Sequence, residues 1–302
     1  MSRRKPAWWR PSRVFYDLFI APFADFEFMR RALVGSFALA LGAAPIGVFL
    51  MLRRMSLVGD AMAHAILPGA AAGFLLYGLE IIPMTLGGLV AGLVVALGAG
   101  AVSRFSIQKE DASLAAFYLI SLALGVLIVS LRGSSVDLMN VLFGTVLALN
   151  DEALSLIGLI GAVTLTALAV FWRALVAECL DPLFLRSVSR LGTPVHFIFL
   201  TLVVLNLIGG FQALGTLLSV GLMMLPAAAA RFWTVRIEPM CALAIGIGIV
   251  SCLSGLLLSY HVALPSGPAI VLSAGVIYAL SVVVGTRGII ATRMRPAHHR
   301  TA

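Results

Sequence analysis

The sequence predicts an all-α fold: a polytopic integral membrane helix bundle of about eight to nine transmembrane helices, with one or two re-entrant segments. Three observations predict it. Hydrophobic residues make up 61% of the 302 positions and charged residues only 11%, where a soluble domain carries about 25% charged. Mean hydropathy is +1.07. The apolar residues fall in long uncharged runs that are apolar on every face, which excludes the alternating strands of a membrane β-barrel.

A span needs about 20 mostly apolar residues. Ala32–Leu52 is the first such run, and Leu57–Leu79 follows it after a basic pair. Ile81–Ser103 is uncharged and rich in glycine; Ala112–Leu131 and Ala153–Trp172 are also uncharged. From Leu191 to Ala230 there is no Asp, Glu, Lys or Arg. That is too long for one helix, and the sequence predicts a break at Gly209-Gly210, giving Val195–Ile208 and Leu214–Ala230. The uncharged stretch Pro239–Thr286 breaks at "HVALPSGP" into Met240–Tyr260 and Pro268–Gly285. Gly69-xxx-Gly73 and Gly88-xxx-Gly92 have the small-residue spacing that lets membrane helices approach closely.

Two shorter pieces read differently. Asp137–Glu152 is half polar and reads as a re-entrant or interfacial segment. Ala177–Pro194 is the longest polar insert. Within it, Asp181 caps a short amphipathic helix and Pro182 fits its first turn. Arg186 and Arg190 lie toward its end, where cations suit the helix dipole, and Gly192 stops it. The domain reading is a basic, aromatic segment over 1–30, a transmembrane domain over 31–286 and a basic cytoplasmic tail over 287–302.

Positive charge marks the cytoplasmic side. The insert with Arg173, Arg186 and Arg190 is then inside, and counting spans in both directions places Arg53, Arg54, Arg104, Lys109, Arg231 and Arg236 inside as well. Glu80 and His261 fall outside. The same count leaves the seven basic residues Arg3 to Arg31 outside, a conflict that an extra crossing or hairpin in Val14–Met29 would relieve.

The net charge of +8 sits at chain ends and loops. That distribution serves orientation and anionic lipid headgroups and gives no reason to expect nucleic acid. Cys179, Cys241 and Cys252 have no metal or redox spacing and read as small apolar residues. The first thirty residues lack the apolar core and cleavage site of a signal peptide.

Asp60 and His64 stand out within the Leu57–Leu79 run. At i and i+4 they share one helix face. A carboxylate in the middle of a membrane helix costs roughly 2.5–3.5 kcal/mol on insertion scales, so it usually marks a pathway, a relay or a partner. Three readings stand for the pair on its residues alone. Both can ligate one divalent cation; Asp60 can pair with Arg54 while His64 is a hydrogen-bonded core residue; or the two relay protons. Pro68 removes a helical hydrogen bond one turn on, at the carbonyl of His64, and lets the helix bend. Met223 and Met224 read as packing. Asn140, Asn206 and Gln212 read as interhelical hydrogen bonds.

The stretch "LRRMSLVGDAMAHAILPGAAAGFLL" resembles the signature of the ABC metal-ion permeases, S-L-x-G-D-x-x-x-H-A-x-L-P-G, at Ser56, Leu57, Gly59, Asp60, His64, Ala65, Leu67, Pro68 and Gly69. "LFGTVLAL", "LDPLFLRSVSRLG", "LLSVGLMMLPAAAARFW" and "LPSGPAIVLSAG" resemble further family motifs in family order, so the likeness covers about residues 30–286. The chain departs from the family at Thr145 and Ala263, where an aspartate is frequent.

The resemblance implies the membrane subunit of an importer for a divalent transition metal (zinc or manganese, with iron a third choice) in the bacterial cytoplasmic membrane. The metal is cargo; no permanently bound cofactor is implied. Asp60 and His64 are the implied metal ligands, with His261 a lesser candidate at an outer gate. The implied partners are a second permease copy, two cytoplasmic ATP-binding subunits and an extracytoplasmic metal-binding protein that docks near Tyr260–Gly267. Asp181, Pro182, Phe184, Arg186, Arg190 and Gly192 would form the coupling helix that docks on the ATPase. No G-x-x-x-x-G-K-[ST] occurs in the sequence, so the chain is expected to be a transport subunit and not an enzyme. Neutral His64 and ionised Asp60 are the binding forms, so acid is expected to weaken transport. Two other classes compete: a permease for a vitamin or iron chelate, which has no need of Asp60–His64, and a secondary transporter that runs without ATP. No H-E-x-x-H or G-x-S-x-G supports an intramembrane enzyme.

Overall fold

The computed structural model describes residues 16–55, 57–78, 80–131, 149–181, 185, 189 and 192–294. Among them the regular structure is helical throughout. A π-helical turn, Tyr16–Ile20, leads into α1 (Ala21–Asp25) and α2 (Glu27–Leu52). Then come α3 (Val58–Ala65), α4 (Leu67–Tyr77), α5 (Ile81–Phe105), α6 (Glu110–Leu131) and α7 (Asp151–Leu180). The chain closes with α8 (Gly192–Leu214), α9 (Thr216–Ala230), α10 (Ile237–Val262), α11 (Ser266–Val284) and α12 (Ile289–Met294).

Eight helices, with α3 and α4 taken in tandem, are long and apolar enough to cross a membrane. This agrees with the multi-pass reading. The helix ends explain themselves locally. Asn150 caps α7, its side chain accepting from the amide of Ala153 at 2.8 Å, and Asp151 and Glu152 complement the dipole of the first turn. α10 ends on Ala263 in the left-handed region (φ 55°), where Ser259 donates its hydroxyl to the carbonyl of Leu264.

Several boundaries differ from those the sequence predicts. α8 runs straight through Gly209-Gly210, because Gly209 packs on Ile160 and Gly210 on Ser219. Tertiary packing thus overrides the low helix propensity of glycine there. The turn falls instead at Gly215 (φ 91°), a conformation that favours glycine. The fifteen-residue α9 that follows is about 22 Å long, short of a hydrocarbon core of about 30 Å. No crossing forms over residues 16–29; the chain makes only the π turn and α1 before α2. Most of the re-entrant segment read over Asp137–Glu152 lies outside the described residues, and from Asp151 the chain is already α7.

The centre is built by α2 and α8, the most enclosed spans. α2 packs against α7, α9 and α10; α8 packs against α7 and α5. α4, α5 and α6 form one flank, and α9, α10 and α11 the other. Phe49 sits at the core with edge-on contacts to Trp172 and Phe199. At one end, Arg53, Arg104, Glu110, Glu178 and His196 meet, which brings together two of the residues that the charge count places inside, Arg53 and Arg104. At the other end, Phe26 stacks on Tyr260, and His261 Nε2 donates to the carbonyl of Leu18 at 3.0 Å.

Candidate functional site

α3 is amphipathic in an unusual place. Val58, Gly59, Ala61, Met62, Ala63 and Ala65 are buried against neighbouring helices α5, α6, α8 and α9. Leu57, Asp60 and His64 lie on the other flank at helical spacing. His64 Nε2 is 3.8 Å from Asp60 Oδ1, and the side chains are 44% and 73% exposed. Arg54, in a left-handed conformation (φ 61°), makes no ion pair with Asp60, whose carboxylate lies within ion-pair distance of His64. The reading of Asp60 as an Arg54 partner is thereby corrected. Among the described residues, no third His, Cys, Asp or Glu joins the two into a closed metal cluster.

The tandem helix is interrupted just before Pro68. α3 ends at Ala65, Ile66 forms the junction, and α4 begins with Pro68 in its first turn. At the junction Ser121 of α6 donates to the carbonyl of Ala65 at 2.9 Å, and Gly125 packs against Pro68. Ser121 stands eleven residues beyond Glu110, about 16 Å along α6 from the inner end. His64, next to Ala65, therefore lies about half-way through the bundle. α9 packs on the buried face of α3, with Val220 and Met224 against Gly59. Met223 is fully buried packing; Met224 is half-buried.

The other candidates are scattered. His261 is exposed at the outer end and engaged by Leu18; it stands on α10, which is not among the helices that bury α3. Asp181 terminates α7. Gly192 begins α8. Between them, Leu185 is buried and accepts from the Ser189 amide, while its own amide donates to Asp181. Both are i to i−4 bonds, as in a helical turn. Pro182, Phe184, Arg186 and Arg190 lie outside the described residues, as do Ser56, Asn140 and Thr145. Asn206 does bridge helices, donating from Nδ2 to Thr164 Oγ1 at 2.7 Å.

One group of polar residues was missed by sequence reasoning. Arg104 and Glu178 form an ion pair with side chains 4% and 1% exposed. Beside them Arg53 lies 3.6 Å from Glu110, and His196 Nε2 lies 3.2 Å from the same carboxylate oxygen. Arg53 also donates to His196 Nδ1 and sets its guanidinium 4.9 Å from the centre of the Phe199 ring. The available signal was charge at helix ends, which the sequence reading assigned wholly to orientation.

Comparison with known proteins follows the same outline. The family described as the ABC 3 transport family matches residues 25–285. The manganese transport system membrane protein MntC of Listeria monocytogenes is 32% identical over 261 residues, spanning 86% of this chain and 92% of its own. The manganese import system permease protein ScaB of Streptococcus gordonii is 30% identical over 269 residues, spanning 89% and 95%. Among solved structures, PsaBC from Streptococcus pneumoniae in complex with Fab superposes with a TM-score of 0.78 at 29% identity, spanning 91% of this chain and 98% of that one.

Proposed function

This chain belongs to the ABC 3 transport family, and on that footing we propose that it is the membrane permease of an importer that carries manganese. The energy comes from a separate ATPase chain, as the family implies. Asp60 and His64 are the transient ligands of the passing ion. A carboxylate with an imidazole suits manganese and zinc alike, and the manganese names of the relatives favour manganese.

The observation that carries the proposal is the placement of the pair. Asp60 and His64 are together, accessible and about half-way through the bundle. Acyl chains offer a carboxylate no partner, so this flank faces something polar. A second copy of the chain, with the ion path between the two, meets that requirement. Two ligands from each copy also complete a coordination shell that one copy cannot fill. Such ligation is weak enough to release the ion, as a carrier requires. The insert between Asp181 and Gly192 joins α7 to α8 at the inner face, and it is the surface on which the ATPase acts.

The test is growth and uptake in a strain deleted for the chain. Wild type restores growth on limiting manganese and uptake of manganese, whereas Asp60→Ala and His64→Ala do not. Full rescue by both variants would remove the site. Rescue of the deletion by zinc or iron, with manganese inert, would reassign the cargo.

A further inference from the structure

The ionic cluster at the inner end occupies a particular place in the chain. Glu178 sits three residues before Asp181, at the close of α7, and His196 sits four residues into α8 after Gly192. These are the two stems of the inner insert. Arg104 belongs to the last turn of α5, and Glu110 is the first residue of α6. Arg53 caps α2 and precedes the short linker into α3, seven positions before Asp60. Both stems of the insert are thus tied by charge to the helices that hold the Asp60–His64 pair.

The cluster sets opposite charges side by side, although Glu110 Oε1, Glu178 Oε2 and His196 Nε2 are buried without a hydrogen bond. Arg53 and Arg104 balance Glu110 and Glu178, and Ser113 adds a hydroxyl bond from α6 to the carbonyl of Ala99 on α5 at 2.8 Å. Arg53 donates to Nδ1 of His196, so Nδ1 is the lone-pair nitrogen, and Nε2 lies 3.2 Å from a Glu110 carboxylate oxygen. In a low-dielectric interior such contacts are strong and directional, and separating them exposes uncompensated charge. A rigid-body shift of the stems is therefore transmitted to their partners and is not absorbed locally. Packing alone around small and flexible apolar side chains would yield more.

We propose that Arg53, Arg104, Glu110, Glu178 and His196 form the relay that passes movement of the inner insert to the Asp60 helix, which makes them positioning residues of the transport cycle. The proposal rests on the reading of the chain as an ATP-driven metal permease. Removing one charge from the relay leaves the ATPase able to turn over but disconnects turnover from ion movement. Spatial adjacency alone does not establish coupling, so the measurement has to read the coupling itself.

The full complex of permease, ATPase and extracytoplasmic metal-binding protein is reconstituted in liposomes with manganese as the probe, and manganese moved per ATP hydrolysed is measured. Glu178→Gln and Glu110→Gln are expected to keep ATP hydrolysis while that ratio falls about tenfold, within the 5–150-fold range of allosteric coupling energies. Arg104→Lys keeps the charge pair and is expected to stay near the wild-type ratio. A wild-type ratio in both glutamine variants overturns the relay. Loss of the assembled complex in both also overturns it, because the cluster is then a folding staple. Asp60→Asn separates the two claims: if it moves manganese normally the metal reading fails, whatever the glutamine variants do.

Discussion

Gly69 of α4 lies directly against Gly87 of α5: a methyl group added to Gly87 would stand 2.9 Å from the carbonyl carbon of Gly69. One turn on, Gly73 meets the backbone of Pro83 and Met84 in the same way. The small-residue spacing read at Gly69 and Gly73 is therefore a helix-packing seam, and it fixes α4 just beyond the helix junction at Ile66. Gly87→Ala is expected to cost about 1–3 kcal/mol by overpacking, measured as thermal unfolding of the purified protein. Gly246→Ala, where the added methyl meets nothing within 4 Å, is the matched control. It is expected to be neutral or stabilising by up to about 1 kcal/mol from helix propensity. Equal loss in both variants would mean that propensity and not close approach decides.

Much of this was legible in the sequence because it is local. Span lengths follow from uncharged runs, the shared face of Asp60 and His64 from their spacing, and the helix interruption from Pro68. The Asn206 bridge was legible as a type of interaction, though its partner Thr164 was not. The inner cluster was illegible for a physical reason. Arg53 and His196 are 143 positions apart, and Arg104 and Glu178 are 74 apart. Charges at helix ends satisfy a topology rule equally well whether they face lipid headgroups or each other. Only the packing of α5 on α8 and of α2 on α7 brings them together. The Gly209-Gly210 reading failed for the same reason, since local propensity cannot register Ile160 and Ser219 filling the space beside the helix.

A dimer that covers Asp60 and His64 has a direct signature. Leu57 lies one turn before Asp60 on the same flank and is 76% exposed. Leu57→Cys, in membranes, is expected to give a covalent dimer with a short bifunctional thiol reagent. The native thiols do not confuse the assay: Cys241 and Cys252 are buried, and Cys179 reports its own background in the parent protein. Val170→Cys on α7, equally exposed but on a helix that packs with α2 and α8, is the comparison. Cross-linking at Val170 with none at Leu57 would place the partner on the wrong flank.

Asn206 and Thr164 give a prediction about stability inside the membrane. Asn206 is fully buried and its amide nitrogen is shared between Thr164 Oγ1 at 2.7 Å and the carbonyl of Leu202 at 2.8 Å. Thr164→Val keeps the shape and removes the acceptor. The amide retains its second partner, so the cost is expected near the membrane average of about 0.6 kcal/mol and below about 1.7 kcal/mol. Steric-trap or thermal unfolding measures it. A loss of several kcal/mol would show that Asn206 has no adequate second acceptor.

His196 tests the chemistry assigned to the inner cluster. Its Nδ1 accepts from Arg53, and its Nε2 lies 3.2 Å from Glu110 Oε1 without a hydrogen bond between them, so the acceptor role is the one to test. Glutamine offers an acceptor on a flexible stem; leucine offers none. Arg53 is only 9% exposed, so in His196→Leu its guanidinium keeps Glu110 and the Phe199 face but loses one acceptor with no water to replace it. A hydrogen bond to a charged group is worth about 1.5–3 kcal/mol, and His196→Leu is expected to lose that much by thermal unfolding, with His196→Gln clearly milder. The ring also packs edge-on against Phe197 at 5.7 Å, a contact that both substitutions remove. If the two variants are equally unstable, that ring contact accounts for the loss and the acceptor role given to Nδ1 is wrong.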